Sequence, residues 1–324
     1  LLVSQDFPPG IGGIQTYAFE LARHFYKDCV SFAVIARWIE GCEEFDKSVP
    51  FDVIRVRASS YSFPFRTQGH IHRFRKENGL DWVVNVQWAS AVGSRIARFT
   101  GKKFKIAIAA HGRELLLKPF KLELANRFRF WAQGRALKRV EKILPVSNYT
   151  RSLVEQHDVS SAKIRVVNNG ANIDRFQNFI ANGTNGHKKT LLTVSRLVRR
   201  KGIDTVLRSL PKVVREVPNL SYVVAGDGPD RDRLTSLAKS LNIDSHVQFV
   251  GPIAPQELPE LYHHCDLFVM PSKNTPPDIE GFGIVFLEAN ACGKPVIGAR
   301  TGGIPDKPVG PLPRKRFIRT CSAL

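Results

Sequence analysis

Cysteine is scarce in this chain. Cys29, Cys42, Cys265, Cys292 and Cys321 are scattered, with no C-x-x-C and no metal-ligand spacing. An odd, dispersed set excludes a disulfide framework and suits a reducing, cytosolic setting. His263, His264 and Cys265 adjoin, but no further ligands stand at useful spacing, so no metal is expected there. No apolar run approaches the ~18 residues of a membrane-spanning helix. No charged-then-apolar leader opens the chain. Acidic residues are in deficit, 29 against 48 Lys and Arg, a net charge of +19. Such an excess implies acidic partners, whether nucleic acid, an anionic membrane or phosphorylated substrates, without choosing among them. Methionine is nearly missing: Met270 stands alone and the first residue is Leu1. With residues 1–4 reading as a strand already under way, we read a fragment cut at both ends.

What remains is an ordinary globular composition, 43% hydrophobic and 24% charged. A length of 324 residues suggests about two domains. The first part alternates strand-like and helical segments. Residues 1–4, 30–36, 51–56, 82–86, 105–110 and 142–146 read as strands. Ile14, Tyr17, Ala18, Leu21, Ala22 and Phe25 mark one face of a helix. Residues 178–189 are polar and aperiodic, a linker. The alternation then restarts, with strands at 190–195, 222–225, 247–250, 267–270 and 295–298. Helices are expected at 203–217, 231–240, 255–265 and 284–292. This pattern predicts parallel β-α-β units, hence two doubly wound α/β domains facing a cleft. The expected bounds are 1–177, then the linker, then 190–306. Residues 307–324 carry five bases, three prolines, no acids and neither helical nor strand period. We read them as a non-native tail of the kind a shifted reading frame gives, which leaves +14 on the body.

Chemistry concentrates at the carboxyl ends of the expected strands, where such sheets bind ligands. Glu280 and Glu288 stand eight positions apart, about 12 Å if wholly helical. Between them Gly281 and Gly283 leave N–H groups accessible at a helix start, which favours an anion. The simpler alternative makes Glu280 a helix cap and Glu288 a surface charge. Arg196 and Lys201 follow a strand and are placed to neutralise a diphosphate. A solvated basic loop is the alternative there. Gly10, Gly12 and Gly13 resemble a phosphate-cradling turn, short of a full G-x-G-x-x-G. Gly226 and Gly228 flank Asp227 at another strand end, by itself only a turn. His111 follows the strand at 105–110, where it is a plausible polar contact to a substrate or simply structural.

Taken in order, S-R-L-x-x-x-K-G, V-A-G-D-G-P, the E-x7-E pair and T-G-G-I-P-D resemble retaining glycosyltransferases of the GT-B fold, family 4, also called group 1. The resemblance runs from Leu1 to about Asp306 and is densest after Leu192. The stretch P-P-D-I-E-G-F-G-I-V-F-L-E-A-N-A-C-G-K-P-V-I looks like bacterial members related to phosphatidylinositol mannosyltransferases. The resemblance implies two Rossmann-like domains, the second incomplete here, and transfer of a hexose from a nucleotide-sugar donor. Mannose from a GDP-linked donor is favoured, with UDP-sugars close behind. The acceptor is expected to be lipid-linked or a glycan, in cell-envelope glycan, lipopolysaccharide or glycolipid synthesis. Glu280 would contact the transferred sugar, Glu288 the ribose, and Arg196 with Lys201 the diphosphate. Gly12 and Gly13 would shape the donor-phosphate side, and His111 would sit beside the sugar. Phe282, Gly283 and Ile284 would offer N–H groups. No cofactor or metal is implied. A front-face displacement, in which the leaving phosphate takes the acceptor proton, is the usual proposal for retention. The family normally continues past G-G-I-P-D with further strand and helix, which 307–324 does not match. A catalytically impaired sugar-nucleotide binder is therefore the second reading.

Residues 118–142 hold eight bases (Lys118, Lys121, Arg127, Arg129, Arg135, Lys138, Arg139, Lys142) and two acids. Leu124, Phe128 and Trp131 share one helical face. A basic amphipathic helix of this kind can lie on an anionic membrane or pack on the sheet. Arg66 to Lys76 adds charge in the same domain. The expected location is the cytoplasm, attached peripherally to the inner face of the cytoplasmic membrane. No helix-turn-helix, zinc-finger or RNP motif supports nucleic acid as the partner.

Overall fold

A computed structural model describes residues 1–99, 103–116, 123–177, 188–276, 278–305 and 318–321. Contacts divide the chain into two units, Leu1–Asn168 and Asn169–Leu324. The first unit runs β1 (Leu2–Ser4), α1 (Gly13–Asp28), β2 (Ala33–Arg37), α2 (Cys42–Lys47), β3 (Asp52–Val56), α3 (Phe63–Asn78), β4 (Trp82–Asn85), α4 (Ala91–Phe99), β5 (Lys105–Ala110), α5 (Glu123–Lys138), β6 (Lys142–Pro145) and α6 (Asn148–Glu155). Its sheet is parallel throughout, in the order β3-β2-β1-β4-β5-β6. Alternation along each strand buries both faces. Val3, Ile35, Val83, Ile106 and Ile108 enter one core, while Leu2, Val34, Val84 and Ala107 enter the other. A sheet with helices on both faces requires such near-continuous apolar strands.

The second unit begins earlier than the sequence suggested. α7 (Ile173–Gln177) belongs to it, because Phe176 packs into its core beside Tyr262. There follow β7 (Lys189–Val194), α8 (Ile203–Glu216), β8 (Leu220–Ala225), α9 (Arg231–Ser240), β9 (Val247–Gly251), α10 (Leu258–His264), β10 (Leu267–Met270), α11 (Ile284–Ala291), β11 (Val296–Ala299) and β12 (Ile318–Cys321). This sheet is also parallel, ordered β12-β11-β10-β7-β8-β9. Again alternate residues part company. Leu192, Phe268 and Val296 face one core, and Tyr222, Val224 and Val269 face the other.

Three expectations need correction. The tail was read as lacking strand character, yet Ile318 to Cys321 pair in register with Val296 to Ala299. Hydrogen bonding to an existing edge can order a segment whose own pattern is weak. The linker's last residue, Lys189, is the first of β7. Finally, α2, α3 and α4 were not anticipated. Most of the linker, Asp306, most of the tail, and Lys118 and Lys121 lie outside the described residues.

Candidate functional site

Open parallel sheets bind ligands beyond the strand ends, where strand order reverses. In the second unit that point lies between β7 and β10. The loops leaving these two strands carry Lys201 and Glu280, and they are tied together: the Lys273 N–H donates to the Arg200 carbonyl at 2.7 Å. The Lys201 ammonium donates to Glu280 Oε2 at 2.5 Å, and Arg200 Nη1 donates to the same oxygen at 2.8 Å. Arg200 Nε also pairs with Asp278 at 3.1 Å. The Lys201, Arg200 and Glu280 side chains are largely buried. Burial alone would raise the Glu280 carboxyl, but Lys201 and Arg200 overcome it and hold the group at about 2. Burial pulls the Lys201 ammonium below its ordinary range, opposed chiefly by Glu280.

Glycines bring these loops to contact distance. Gly202, at φ 71°, is the N-cap of α8, and a Cβ there would lie 2.0 Å from the Pro271 carbonyl oxygen. Gly302, at φ 52°, presses on the other side, where a Cβ would lie 2.2 Å from the Glu280 carbonyl. The neighbouring Gly303 N–H donates to that same carbonyl at 3.0 Å. This is the physical use of T-G-G-I-P. The turn A-G-D-G-P supports the other loop, with the Leu197 N–H donating to the Asp227 carbonyl at 2.9 Å.

The remaining predicted residues of this unit sit as follows. Arg196 is exposed and makes no ion pair among the described residues. Residues 280–283 precede the helix, so the wholly helical 12 Å spacing of the two glutamates does not hold. Glu280 is an ion-pair partner, not a cap; Gly283 occupies the N-cap. Phe282 is buried, and the N–H groups of Phe282 and Gly283 meet no acceptor among the described residues. Ile284 is the first helical residue. Glu288 is half-buried and accepts a 2.7 Å bond from the Tyr262 hydroxyl, while burial raises its carboxyl. The His263 and His264 rings bond carbonyls of Phe176 and Glu260. No group of three metal-ligating side chains gathers among the described residues.

In the first unit, Gly12 is the N-cap of α1 with no side-chain cap and no acid in the first turn. A Cβ on Gly13 would meet nothing within 4 Å. The helix start is thus open to an anion. His111 directly follows β5. Its ring sits edge-on to Tyr17 at 4.6 Å and is bonded to the Val86 carbonyl, and burial lowers it to about 4. The imidazole is therefore neutral. Nε2 is buried and has no partner among the described residues. The Glu114 carboxylate accepts the His111 N–H at 2.7 Å. The Glu114 carbonyl in turn receives Trp88, Arg129 and Gln133, which pins the loop.

Arg200, Asp278, Tyr262, Val86 and Glu114 were missed by sequence reasoning. Arg200 is the third unspecified position of S-R-L-x-x-x-K-G, next to Arg199, and only the fold shows which of these cations turns inward. α5 also differs from the packing alternative. Phe128 is 67% and Trp131 57% exposed, stacked on each other at 5.8 Å, with Arg135 over the Trp131 ring. Its buried face is Gln133, Ala136 and Leu137 instead.

Residues 11–175 match the family described as Glycosyltransferase Family 4, and residues 174–307 match Glycosyl transferases group 1. A GDP-mannose-dependent alpha-(1-6)-phosphatidylinositol monomannoside mannosyltransferase of Mycobacterium tuberculosis is 31% identical, covering 94% of this chain and 81% of the relative. A Mycolicibacterium smegmatis protein of the same description is 30% identical over the same shares. Among solved structures, Anabaena Alr3699/HepE in complex with UDP and glucose superposes with a TM-score of 0.73 at 18% identity, over 98% of this chain and 85% of that one. WaaG, a glycosyltransferase involved in lipopolysaccharide biosynthesis, gives 0.66 at 21%, over 94% and 82%. With two parallel α/β units and these likenesses, the chain belongs to glycosyltransferase family 4 and is a hexosyltransferase of the GT-B fold.

Proposed function

We propose that this enzyme transfers mannose from GDP-mannose, with retention, to a lipid-linked acceptor in cell-envelope glycolipid synthesis. The likeness to GDP-mannose-dependent mannosyltransferases across 94% of the chain carries this reading. The geometry of the second unit supports it. A donor diphosphate needs cations that do not relax away, and Lys201 is held in a buried cluster beside the open N–H groups of Phe282 and Gly283. Arg196, exposed and unpaired, adds charge-assisted bonds to the same group. Glu280 faces the transferred sugar, and Glu288 takes the ribose hydroxyls. From the first unit, the neutral His111 accepts a bond from a sugar hydroxyl at Nε2, because its other nitrogen is bonded to a carbonyl. Gly13 leaves room for phosphate, and Gly12, beside the Gln15 side chain, caps the helix next to it.

In the step itself the bond from the sugar's anomeric carbon to the phosphate oxygen breaks. The bond to the acceptor oxygen forms on the same face, and the acceptor proton passes to the departing phosphate. The protein positions the reactants and stabilises the charge that develops on the nucleoside diphosphate. Fixed cations fill the role a metal would take, so chelation should leave turnover unchanged. Among the described residues no helix is long and apolar enough to cross a membrane. The exposed Phe128 and Trp131 on the basic α5 suit peripheral attachment to an anionic surface.

The test is a panel of GDP-, UDP- and ADP-linked sugars with phosphatidylinositol and its monomannoside, reading product by mass and anomeric configuration by NMR. Turnover with GDP-mannose alone, giving an α-product, is the expected result. Preference for a UDP-sugar, or an inverted product, refutes it.

A further inference from the structure

Two cations converge on one oxygen in the second unit. Lys201 Nζ and Arg200 Nη1 both donate to Glu280 Oε2, at 2.5 and 2.8 Å. Glu280 Oε1 accepts no bond among the described residues. A buried carboxylate needs one counter-ion, so the second calls for a reason. The two cations are also held differently. Arg200 is clamped at three points. Its Nε pairs with Asp278 at 3.1 Å, its Nη1 holds Glu280, and its carbonyl accepts the Lys273 N–H at 2.7 Å. Asp278 is itself fixed in a turn, its N–H donating to the Thr275 carbonyl at 2.8 Å. A planar guanidinium offers its donors in a fixed fork, so one side chain joins two carboxylates rigidly. The Lys201 ammonium carries three donors on a flexible stem and, among the described residues, uses one of them, on Glu280.

The difference matters when a donor binds. Under the function proposed above, Lys201 serves the diphosphate. If Lys201 were the sole counter-ion of Glu280, each donor would compete with a buried ion pair. Turning Lys201 toward phosphate would then strand a buried carboxylate. With Arg200 in place, Glu280 keeps a counter-ion throughout, and its position does not depend on where Lys201 points. We infer that Arg200 is a positioning residue: clamped to Asp278, it holds Glu280 by one oxygen, leaves the other for the sugar, and frees Lys201 for the donor diphosphate. The inference rests on the donor-binding reading of this unit. It differs from direct phosphate binding by Arg200, whose guanidinium faces two carboxylates.

The test is a double-mutant cycle in the full chain, of R200Q, E280Q and R200Q/E280Q, with R200K and R199Q beside it. Arg199 is exposed on the same turn. Calorimetry with GDP and with UDP reads affinity, urea unfolding reads stability, and turnover is followed on the sugar conjugate of whichever nucleotide binds. R200Q should weaken nucleotide binding by at least roughly tenfold, the worth of a hydrogen bond to a charged group. Its turnover should fall as well. In the E280Q background the same change should cost under ~2-fold in affinity, because no carboxylate then competes for Lys201. R200K keeps the charge without the fork, so its loss should fall between, and it carries the comparison if R200Q does not fold. R199Q should match wild type. The stabilities of R200Q and E280Q should be non-additive, as for residues in contact. An equal affinity loss with and without Glu280 would make Arg200 a direct ligand of the diphosphate and overturn the positioning role. Unchanged affinity in R200Q, or additive stabilities, would overturn it too. If neither nucleotide binds the wild type, the donor reading fails, while the stability cycle still decides whether Arg200 holds Glu280.

Discussion

Replacing Glu280 with Gln isolates the ion cluster from the chemistry. The carboxyl is held at about 2 against an ordinary 4.5. At ~1.4 kcal/mol per unit, this corresponds to about 3 kcal/mol of stability from ionised Glu280 at neutral pH. Because the folded value is the lower one, the native state binds fewer protons. The contribution is full above about pH 5 and is lost as pH falls toward 2. By pH 3.5 a sizeable part of it, on the order of 1 kcal/mol, is gone. An independent argument gives a similar size: removing one partner of a buried pair costs about 3–5 kcal/mol, since Lys201 is left charged and unpaired. Gln retains an acceptor oxygen, so the lower end applies. Urea unfolding followed by circular dichroism should show E280Q destabilised by about 3 kcal/mol at pH 7. The gap should narrow by on the order of 1 kcal/mol at pH 3.5. Parallel profiles for the two proteins would refute the pairing. Turnover of E280Q should fall by orders of magnitude at every pH, which a purely structural role does not require.

Lys201→Ala should lower GDP affinity and turnover together, and calorimetry with GDP should show the larger affinity loss here than in E280Q. His111, lowered to about 4, stays neutral through pH 5–8, so its titration should leave no inflection near 6.5 in the rate profile. The same lowering means that its contribution to stability declines as pH falls from about 6.5 toward 4, and His111→Phe should abolish that slope. Gly202→Ala forces a Cβ to within 2.0 Å of a backbone carbonyl at positive φ. A loss of at least roughly 1–3 kcal/mol is expected, with weaker donor binding as the Lys201 loop shifts, measured by thermal melting with and without GDP.

The strands were legible because a doubly covered parallel sheet leaves short apolar runs, as at 105–110 and 267–270. α3 and α4 were hidden for opposite reasons. α3 buries Phe63, Ile71 and Phe74 among six Arg, His and Lys residues, which blur its period. α4 buries Ala91, Gly93, Ser94 and Ala97, residues too small to mark a face. A Cβ on Gly93 would lie 1.9 Å from the Pro64 carbonyl, so the close crossing requires glycine. In the second unit, Glu280 and Lys201, which the fold brings together, were readable from ordered motifs. Arg200 was not, because neighbours in a turn diverge in direction and only the tertiary fold selects the inward one. The exposure of Phe128 and Trp131 was likewise hidden, since helical spacing shows which residues share a face but not what that face meets.

The strand order also bears on how the chain is made. β1 lies in the middle of its sheet, between β2 and β4. Ribosomes add about 5–20 residues per second, so roughly 4–16 s separate the synthesis of β1 from that of β4, some 80 residues later. Over that interval Leu2 and Val3 have a partner on one side at most. β7 faces the same wait for β10 in the second unit. Each half therefore completes its central pairing late, and a stalled or slowed ribosome exposes the same two seams to chaperones and to neighbouring chains.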